Sequence, residues 1–383
     1  MAHIERIAIR GLGGRDELYE CSLDRSVNVF YGANGSGKTM LLKVLHAALD
    51  NNIRILSGLP ITYAAIDCYF EKYSQTFKRT IHRELTSQKP EAQSDDKSWS
   101  LIAQVAQTAA PKPEWTSDPE EPGGTSSWKH GYLPISRLYR GLPKGRYLTT
   151  QKLSEDELDE TFENALQAVW ANYASDITTA VKEIQEKGLT AILRSVFSDP
   201  AESYLVDAHD ANKTYESVRK FLDRQSSGSD IVKDEKQFTT NYQKKPQVRT
   251  VANSISRMEL QIERQNAPRE LLRTLLEEMF SSRKEVVFDD KEIQIKALGQ
   301  NLKLRMLSSG EKQLILIALE ALVTRNHVLL IDEPELSMHI DWQKRLIPLL
   351  IQLNPSMQLI IATHSPEIME DLQDKYIIRL WED

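Results

Sequence analysis

Val27-Asn28-Val29-Phe30-Tyr31-Gly32-Ala33-Asn34-Gly35-Ser36-Gly37-Lys38-Thr39 runs from a short, continuous apolar stretch into a glycine-rich turn. Immediately beyond it Leu41, Leu42, Val44, Leu45 and Leu49 recur at helical spacing, so the local order reads strand, loop, helix. Gly32 to Thr39 match G-x-x-x-x-G-K-[ST] at every fixed position, in the structural context that gives the motif its meaning. Gly35 and Gly37 permit backbone angles that turn successive N–H groups inward, which makes a concave anion nest at a helix N-terminus where the dipole also favours negative charge. Lys38 supplies a mobile point charge for β- and γ-phosphates, and Thr39 places a hydroxyl where Mg²⁺ can use it. Gly32, Asn34, Gly35, Ser36, Gly37, Lys38, Thr39 and Met40 are therefore expected to hold the phosphates of ATP.

A second informative block lies near the other end of the chain. Val328-Leu329-Leu330-Ile331-Asp332-Glu333-Pro334 is an apolar strand that ends in two adjacent carboxylates, where open α/β sheets place their chemistry. Asp332 is expected to hold Mg²⁺ with Thr39. Glu333, splayed the other way at the strand end, is expected to act as general base on the attacking water. Leu359 to Ala362 is another continuous apolar run of the central parallel type, and Leu314 to Val323 is apolar on nearly every side, as in a buried helix.

Between these blocks the pattern changes. Residues 61–84 alternate with period two around a turn at Glu71 to Ser74, which predicts an antiparallel hairpin. Residues 87–130, poor in apolar side chains and punctuated by Pro111, Pro113, Pro119, Pro122, Gly123 and Gly124, predict a mobile loop. Tyr132 to Arg140 reads as a strand, Glu155 to about Phe197 as a helix, Gln225 to Gln247 as a polar interruption, and Val251 to Ser281 as a second helical run. Strands are expected at Glu285 to Phe288, Glu292 to Ala297 and Asn301 to Met306. The expected division is an N-terminal α/β segment over 1–150, a helical insertion lobe over 151–283 and a C-terminal α/β segment over 284–383. The expected fold class is α/β, of the P-loop NTPase type, with mixed sheet, an antiparallel β subdomain and a helical insertion.

Composition bounds the function. The chain has 383 residues, and 48 basic against 55 acidic side chains leave a net charge of −7, which does not suit a general nucleic-acid coat. Cys21 and Cys68, the 2 cysteines, are too few for a disulfide framework or a four-thiolate zinc site. No apolar run reaches membrane-spanning length, and the first residues lack a signal-peptide core, so no membrane partner and a cytoplasmic location are expected.

Leu307-Ser308-Ser309-Gly310-Glu311-Lys312-Gln313 stands before the buried helix and resembles the signature motif of the ABC ATPase superfamily, commonly Leu-Ser-Gly-Gly-Gln. Ser309 and Glu311 are departures closer to the soluble branch than to transporters. A helix N-terminus offering Ser308 and the Gly310 N–H suits a γ-phosphate; the same residues also read as a helix cap with a capping-box acid, and both roles can hold. The resemblance implies that Ser308, Ser309, Gly310 and Glu311 close the nucleotide site of another copy. It further implies that Glu335 to His339 form a D-loop and that His364, in Ala362-Thr363-His364-Ser365-Pro366, is the switch histidine that contacts the γ-phosphate. The magnesium-shell glutamine of the family has no assigned counterpart: Gln75 falls inside the hairpin, Gln104 and Gln107 in the expected loop, and the region of Ser136 and Arg137 stands in the corresponding place.

The string Asp-Glu-Pro-Glu-Leu-Ser-Met-His from Asp332 to His339 is similar to the overcoming-lysogenization-defect (OLD) nucleases and their relatives, including ATPases of the PARIS and Septu anti-phage systems. A Toprim domain of the OLD kind does not fit after His364 in this sequence. The resemblance therefore implies a homodimeric or larger ATPase that controls a separate effector, a Toprim or HNH nuclease, with a phage protein or DNA as trigger. Two other classes stay open: a DNA-repair or DNA-clamping ATPase, for which Lys244, Lys245, Arg264, Arg269 and Arg273 offer a basic patch, and a transporter ATPase.

Overall fold

The computed structural model describes residues 2–83, 114–121, 127–134, 154–197, 211–224, 232, 234–280, 284–289 and 292–381. In chain order the strands and helices are β1 (Ala2–Arg10), β2 (Leu18–Ser22), β3 (Val27–Tyr31), α1 (Lys38–Leu49), β4 (Tyr63–Phe70), β5 (Gln75–His82), β6 (Thr116–Asp118), β7 (His130–Leu133) and α2 (Glu155–Phe197). There follow α3 (Ala211–Arg224), α4 (Glu235–Lys244), α5 (Pro246–Met279), β8 (Lys284–Phe288), β9 (Ile293–Ala297), β10 (Gln300–Leu302), α6 (Ser309–Thr324), β11 (Val328–Asp332), α7 (Ile340–Leu353), β12 (Gln358–Thr363), α8 (Pro366–Met369) and β13 (Ile377–Arg379).

The chain groups into two units, Met1–Ala165 with Lys303–Asp383, and Leu166–Leu302. The sequence division placed its boundaries at 150 and 283, so β8 to β10 sit with the helical unit rather than with the C-terminal segment.

The first unit contains two five-stranded sheets. One has the order β13-β3-β12-β11-β7 with every pairing parallel. Its central strands β11 and β12 are buried at each residue, which is why Val328 to Ile331 and Leu359 to Ala362 read as unbroken apolar runs. The other sheet, β2-β1-β4-β5-β6, is antiparallel throughout. Leu41, Leu42 and Leu45 of α1 share one core with Ile4, Ile7 and Ile9 of the antiparallel sheet and with Phe30, Leu330 and Ile360 of the parallel one. Gln358, fully buried, ties the sheets through hydrogen bonds: its Oε1 accepts from Ile4 N at 2.7 Å, and its Nε2 donates to Ile4 O and Asp24 O, each at 2.8 Å. Paired in this way, a buried amide costs little.

Within the stretch expected to be a mobile loop, the described residues are partly ordered structure. Thr116–Asp118 is an edge strand on β5, and Trp115 and Trp128 are buried. Arg79 explains the anchoring: it is fully buried, bonds Glu121 through Nε and Nη2 at 2.8 Å each, and lies 3.6 Å from the Trp128 ring centroid. Residues 84–113 and 122–126 lie outside the described residues, as do residues 135–140 of the strand expected over Tyr132 to Arg140, Ser136 and Arg137 among them.

In the second unit Trp170 of α2 is fully buried and its Nε1 donates to Asp289 O at 2.6 Å. Helices α3, α4 and α5 enclose a small core of Val218, Phe238, Tyr242, Ala252 and Ile255. The interruption expected over Gln225 to Gln247 thus holds a helix, α4, whose Phe238 and Tyr242 lie one turn apart and are both buried. The third strand of the C-terminal part is shorter than expected: β10 ends at Leu302, and Leu304–Met306 is a 3₁₀ turn. No helix among the described residues is long and apolar enough to cross a membrane.

Candidate active site

Lys38, Thr39, Asp332, Glu333 and His364 each sit at the C-terminal end of a parallel strand or in the turn or helix start that follows it. The loop from β3 to α1 turns through Gly35 at φ 84° and Gly37 at φ 102°, left-handed angles that glycine adopts without a Cβ penalty. At Gly37 space is limiting as well, since a Cβ would stand 2.9 Å from Gly13 N. Lys38 is only 4% exposed, and its Nζ donates to Gly32 O at 2.8 Å and Ala33 O at 3.1 Å, which places the ammonium inside the arch of the loop. Thr39 Oγ1 donates to Asp332 Oδ1 at 3.2 Å across a sequence separation of 293 residues. Asp332 is fully buried at the end of β11. A hydroxyl and a carboxylate at hydrogen-bond distance are a hard-oxygen donor set that fits Mg²⁺.

A groove of about 550 Å³ runs along this loop, from Gly13 and Gly14 past Gly35, Gly37, Lys38 and Thr39 to Met40, Lys43 and Leu59, with Glu333 at its wall. The expected phosphate-binding residues from Asn34 to Met40 thus lie on one continuous loop and first helical turn. A second cleft of about 650 Å³ borders the same loop and reaches His364, Arg379 and Trp381.

Glu333 follows Asp332 at φ 48°, an uncommon angle for a residue with a Cβ, and its N–H donates to Ala362 O at 2.8 Å. This kink swings its carboxyl away from Asp332 and onto His364 Nδ1, with which it is hydrogen-bonded. Glu335, 6% exposed, approaches the same ring nitrogen: its Oε1 lies 3.1 Å from His364 Nδ1. The same oxygen accepts from Thr363 Oγ1 at 2.6 Å, His364 N at 3.0 Å and Ser365 N at 3.2 Å. Burial, then the hydrogen bond and like charge of Glu335, push the Glu333 carboxyl up to about 7, while His364 pulls the other way. Glu333, Glu335 and His364 offer ligand-type atoms within 4.8 Å of one another. With Nδ1 bonded to Glu333 and within reach of Glu335, the group reads as a hydrogen-bonded triad, not a metal centre.

Ser308 is the N-cap of α6 in a reciprocal capping box: Glu311 N donates to Ser308 Oγ at 3.3 Å and Ser308 N to Glu311 Oε2 at 2.9 Å. Ser308 and Ser309 are exposed, whereas Gly310 is buried against the turn after Glu333. A Cβ on Gly310 would stand 2.3 Å from Ser337 O, so glycine is required by packing inside the chain. None of Ser308, Ser309, Gly310 and Glu311 lines the groove of its own chain among the described residues.

Gln75 is the first residue of β5, paired with Phe70 in the antiparallel sheet. Gln104 and Gln107 lie outside the described residues. Leu133, the last residue of β7, pairs with Ile331, one position before Asp332. Tyr132 on that strand stacks on His46, and burial together with the Asp332 charge raises its phenol.

The family model described as an AAA ATPase domain matches residues 3–369, nearly the whole chain. The chain belongs to that family. It is accordingly a nucleotide-binding ATPase with an α/β P-loop fold. Among solved structures, the chain is similar to the Smc head domain of Pyrococcus furiosus bound to the C-terminal domain of ScpA, at 14% identity and a TM-score of 0.41 over 99% of this chain and 93% of that one. It is also similar to the SMC head domain of Thermotoga maritima, at 13% identity and a TM-score of 0.40 over 96% and 91%. No curated protein matches the chain.

Sequence reasoning placed Glu335 only in a loop named by resemblance and missed its part in holding His364. The available signal was a third carboxylate two residues beyond Glu333, too common a pattern to separate from a solvated turn. Arg15 and Trp381, which stack beside the phosphate loop at 4.7 Å, carried no signal at all.

Proposed function

We propose that this ATPase is a nucleotide-driven homo-oligomeric switch that controls a separate effector, a Toprim or HNH nuclease, in anti-phage defence. The observation that carries the nucleotide chemistry is the Thr39 to Asp332 hydrogen bond, which brings the two motif halves into one site. ATP lies along the groove with its phosphates in the nest of Gly35 to Thr39. Thr39 and Asp332 would hold Mg²⁺, which when bound neutralises phosphate charge. Glu333 in its ionised form takes a proton from water, and His364, fixed through Nδ1, presents its other ring nitrogen for the γ-phosphate.

The trans role of Ser308 and Gly310 is supported by their absence from their own groove and by the surface around them. Met306 is 67% exposed, Leu336 38% and Ile340 47%, apolar side chains that a second copy would cover. The likeness of the segment from Asp332 to His339 to the OLD group supports the effector. The DNA reading is weakened because Arg269 bonds Phe288 O and Arg273 pairs with Glu270 and Glu277, so neither is a free cation for phosphates.

Size measurement by light scattering tests the switch with the wild type, Glu333→Gln and Lys38→Ala, each with and without ATP and Mg²⁺. Glu333→Gln is expected to accumulate the ATP-bound assembly and Lys38→Ala to abolish it. Identical masses for both variants in both conditions would reject the switch, and DNA-stimulated turnover without a co-purifying protein would favour the clamp instead.

A further inference from the structure

Ser36 sits at the crown of the phosphate loop, yet its own side chain does not anchor it. Its Oγ is buried and makes no hydrogen bond among the described residues. The carbonyl of Ser36 instead accepts from Trp381 Nε1 at 3.1 Å, a contact that spans 345 residues. The same carbonyl faces Gly13, where a Cβ would come within 2.9 Å of it.

Trp381 is delivered to this position by the last strand. β13 runs parallel to β3 with Arg379 opposite Tyr31, and Leu380 N donates to Tyr31 O at 2.9 Å. Leu380 is buried, and the chain then turns through Trp381 at φ 64°, a left-handed conformation that a tryptophan keeps only where its surroundings hold it. Those surroundings are the Arg15 guanidinium 4.7 Å from the ring centroid and the Tyr19 ring edge-on at 5.3 Å.

A peptide unit is planar and trans, so its C=O and N–H point in opposite directions. The Ser36 carbonyl and the Gly37 N–H belong to one such unit. Holding the oxygen toward Trp381 and Gly13 aims that N–H the opposite way, to the face of the loop that the nucleotide reading gives to the phosphates. Gly37, with no side chain and freedom at φ, cannot enforce this orientation itself.

We propose that Trp381 is a positioning residue for the phosphate nest: its indole N–H holds the Ser36–Gly37 peptide so that the Gly37 N–H faces the phosphates, with Arg15 bracing the ring. The proposal rests on the nucleotide reading above and concerns the phosphates, not the base. It therefore makes a distinction that a base-stacking tryptophan would not.

The test compares wild type, Lys38→Ala, Trp381→Phe and Arg15→Ala, with isothermal calorimetry for ATP·Mg²⁺ and for inorganic tripolyphosphate, alongside thermal unfolding. Trp381→Phe keeps a ring and loses the donor. It is expected to weaken both ligands by the same factor, about 2- to 10-fold, the range of one net hydrogen bond, and to raise KM more than it lowers kcat. Arg15→Ala should weaken both in the same proportion to each other but by less, and it carries the test should the Phe variant fail to fold. Unchanged affinity for both ligands in Trp381→Phe, or a loss for ATP without a loss for tripolyphosphate, overturns the proposal while leaving the nucleotide reading intact. Failure of wild type to bind ATP, or equal binding by Lys38→Ala, overturns the nucleotide reading and the proposal with it.

Discussion

Replacing Glu335 separates two jobs that its carboxyl performs. In Glu335→Ala the acceptor shared by Thr363 Oγ1, His364 N and Ser365 N disappears. Ser365 N keeps a second acceptor, Thr363 Oγ1 at 3.0 Å, so two donors lose their partner inside the protein. Thr363 Oγ1 is buried and the His364 N–H only partly so; at about 1–3 kcal/mol for an unsatisfied buried group and less for the half-exposed one, the variant should lose about 1–4 kcal/mol, a sizeable part of a typical folding free energy. Glu335→Gln retains Oε1 as acceptor and should lose far less stability, but it removes the like charge beside Glu333. The sign follows from the raised Glu333 carboxyl. The protonated form dominates below about pH 7 and the ionised base above it, so turnover should climb as pH passes through 7. The contribution of this group to stability runs the other way, present in acid and lost as pH rises through about 7. In Glu335→Gln the rising limb should move to lower pH, though not to the ordinary carboxyl range, since burial is the largest cause and remains. Chemical denaturation of the Ala variant and pH–kcat profiles of the Gln variant read these effects. An Ala variant as stable as wild type, or a Gln profile that overlays the wild-type one, would refute the reasoning.

Other perturbations address different parts of the molecule. Gly310→Ala puts a methyl 2.3 Å from Ser337 O, so the turn after Glu333 must shift; ATP-dependent assembly should fall even where affinity of the single chain for ATP is retained, as read by light scattering and calorimetry. Thr39→Ala removes the hydroxyl beside Asp332 and should raise the Mg²⁺ concentration needed for half-maximal turnover about 10-fold, for the loss of about 1.4 kcal/mol of binding. Arg79→Ala leaves Glu121, 6% exposed at its side chain, without its bidentate partner, and should cost about 3–5 kcal/mol in denaturant unfolding. Burial alone would raise the Glu121 carboxyl, and the hydrogen bonds from Arg79, Ser117 and Trp128 hold it below the ordinary range, so the loss in Arg79→Ala should shrink as pH falls and Glu121 protonates.

By itself the sequence determined the parts of this protein whose signal is local. The β3 strand, the loop and α1 are contiguous, and period and glycine placement declare them without any distant contact. The same holds for β11 with its terminal carboxylates and for the Ser308 and Glu311 capping box, which closes over one helical turn. Tertiary structure alone decided that Thr39 meets Asp332, that Glu335 grips the His364 loop, that Gly310 abuts Ser337, and that Trp381 braces Ser36. It also decided that Phe238 and Tyr242, two apolar residues in a polar run, make a helix core, and that Thr116–Asp118 closes a sheet edge. The physical reason is common to all of these. A backbone pattern is written by near neighbours, whereas the partner of a buried hydrogen bond or a close glycine contact depends on strand register and packing between segments that folding alone brings together.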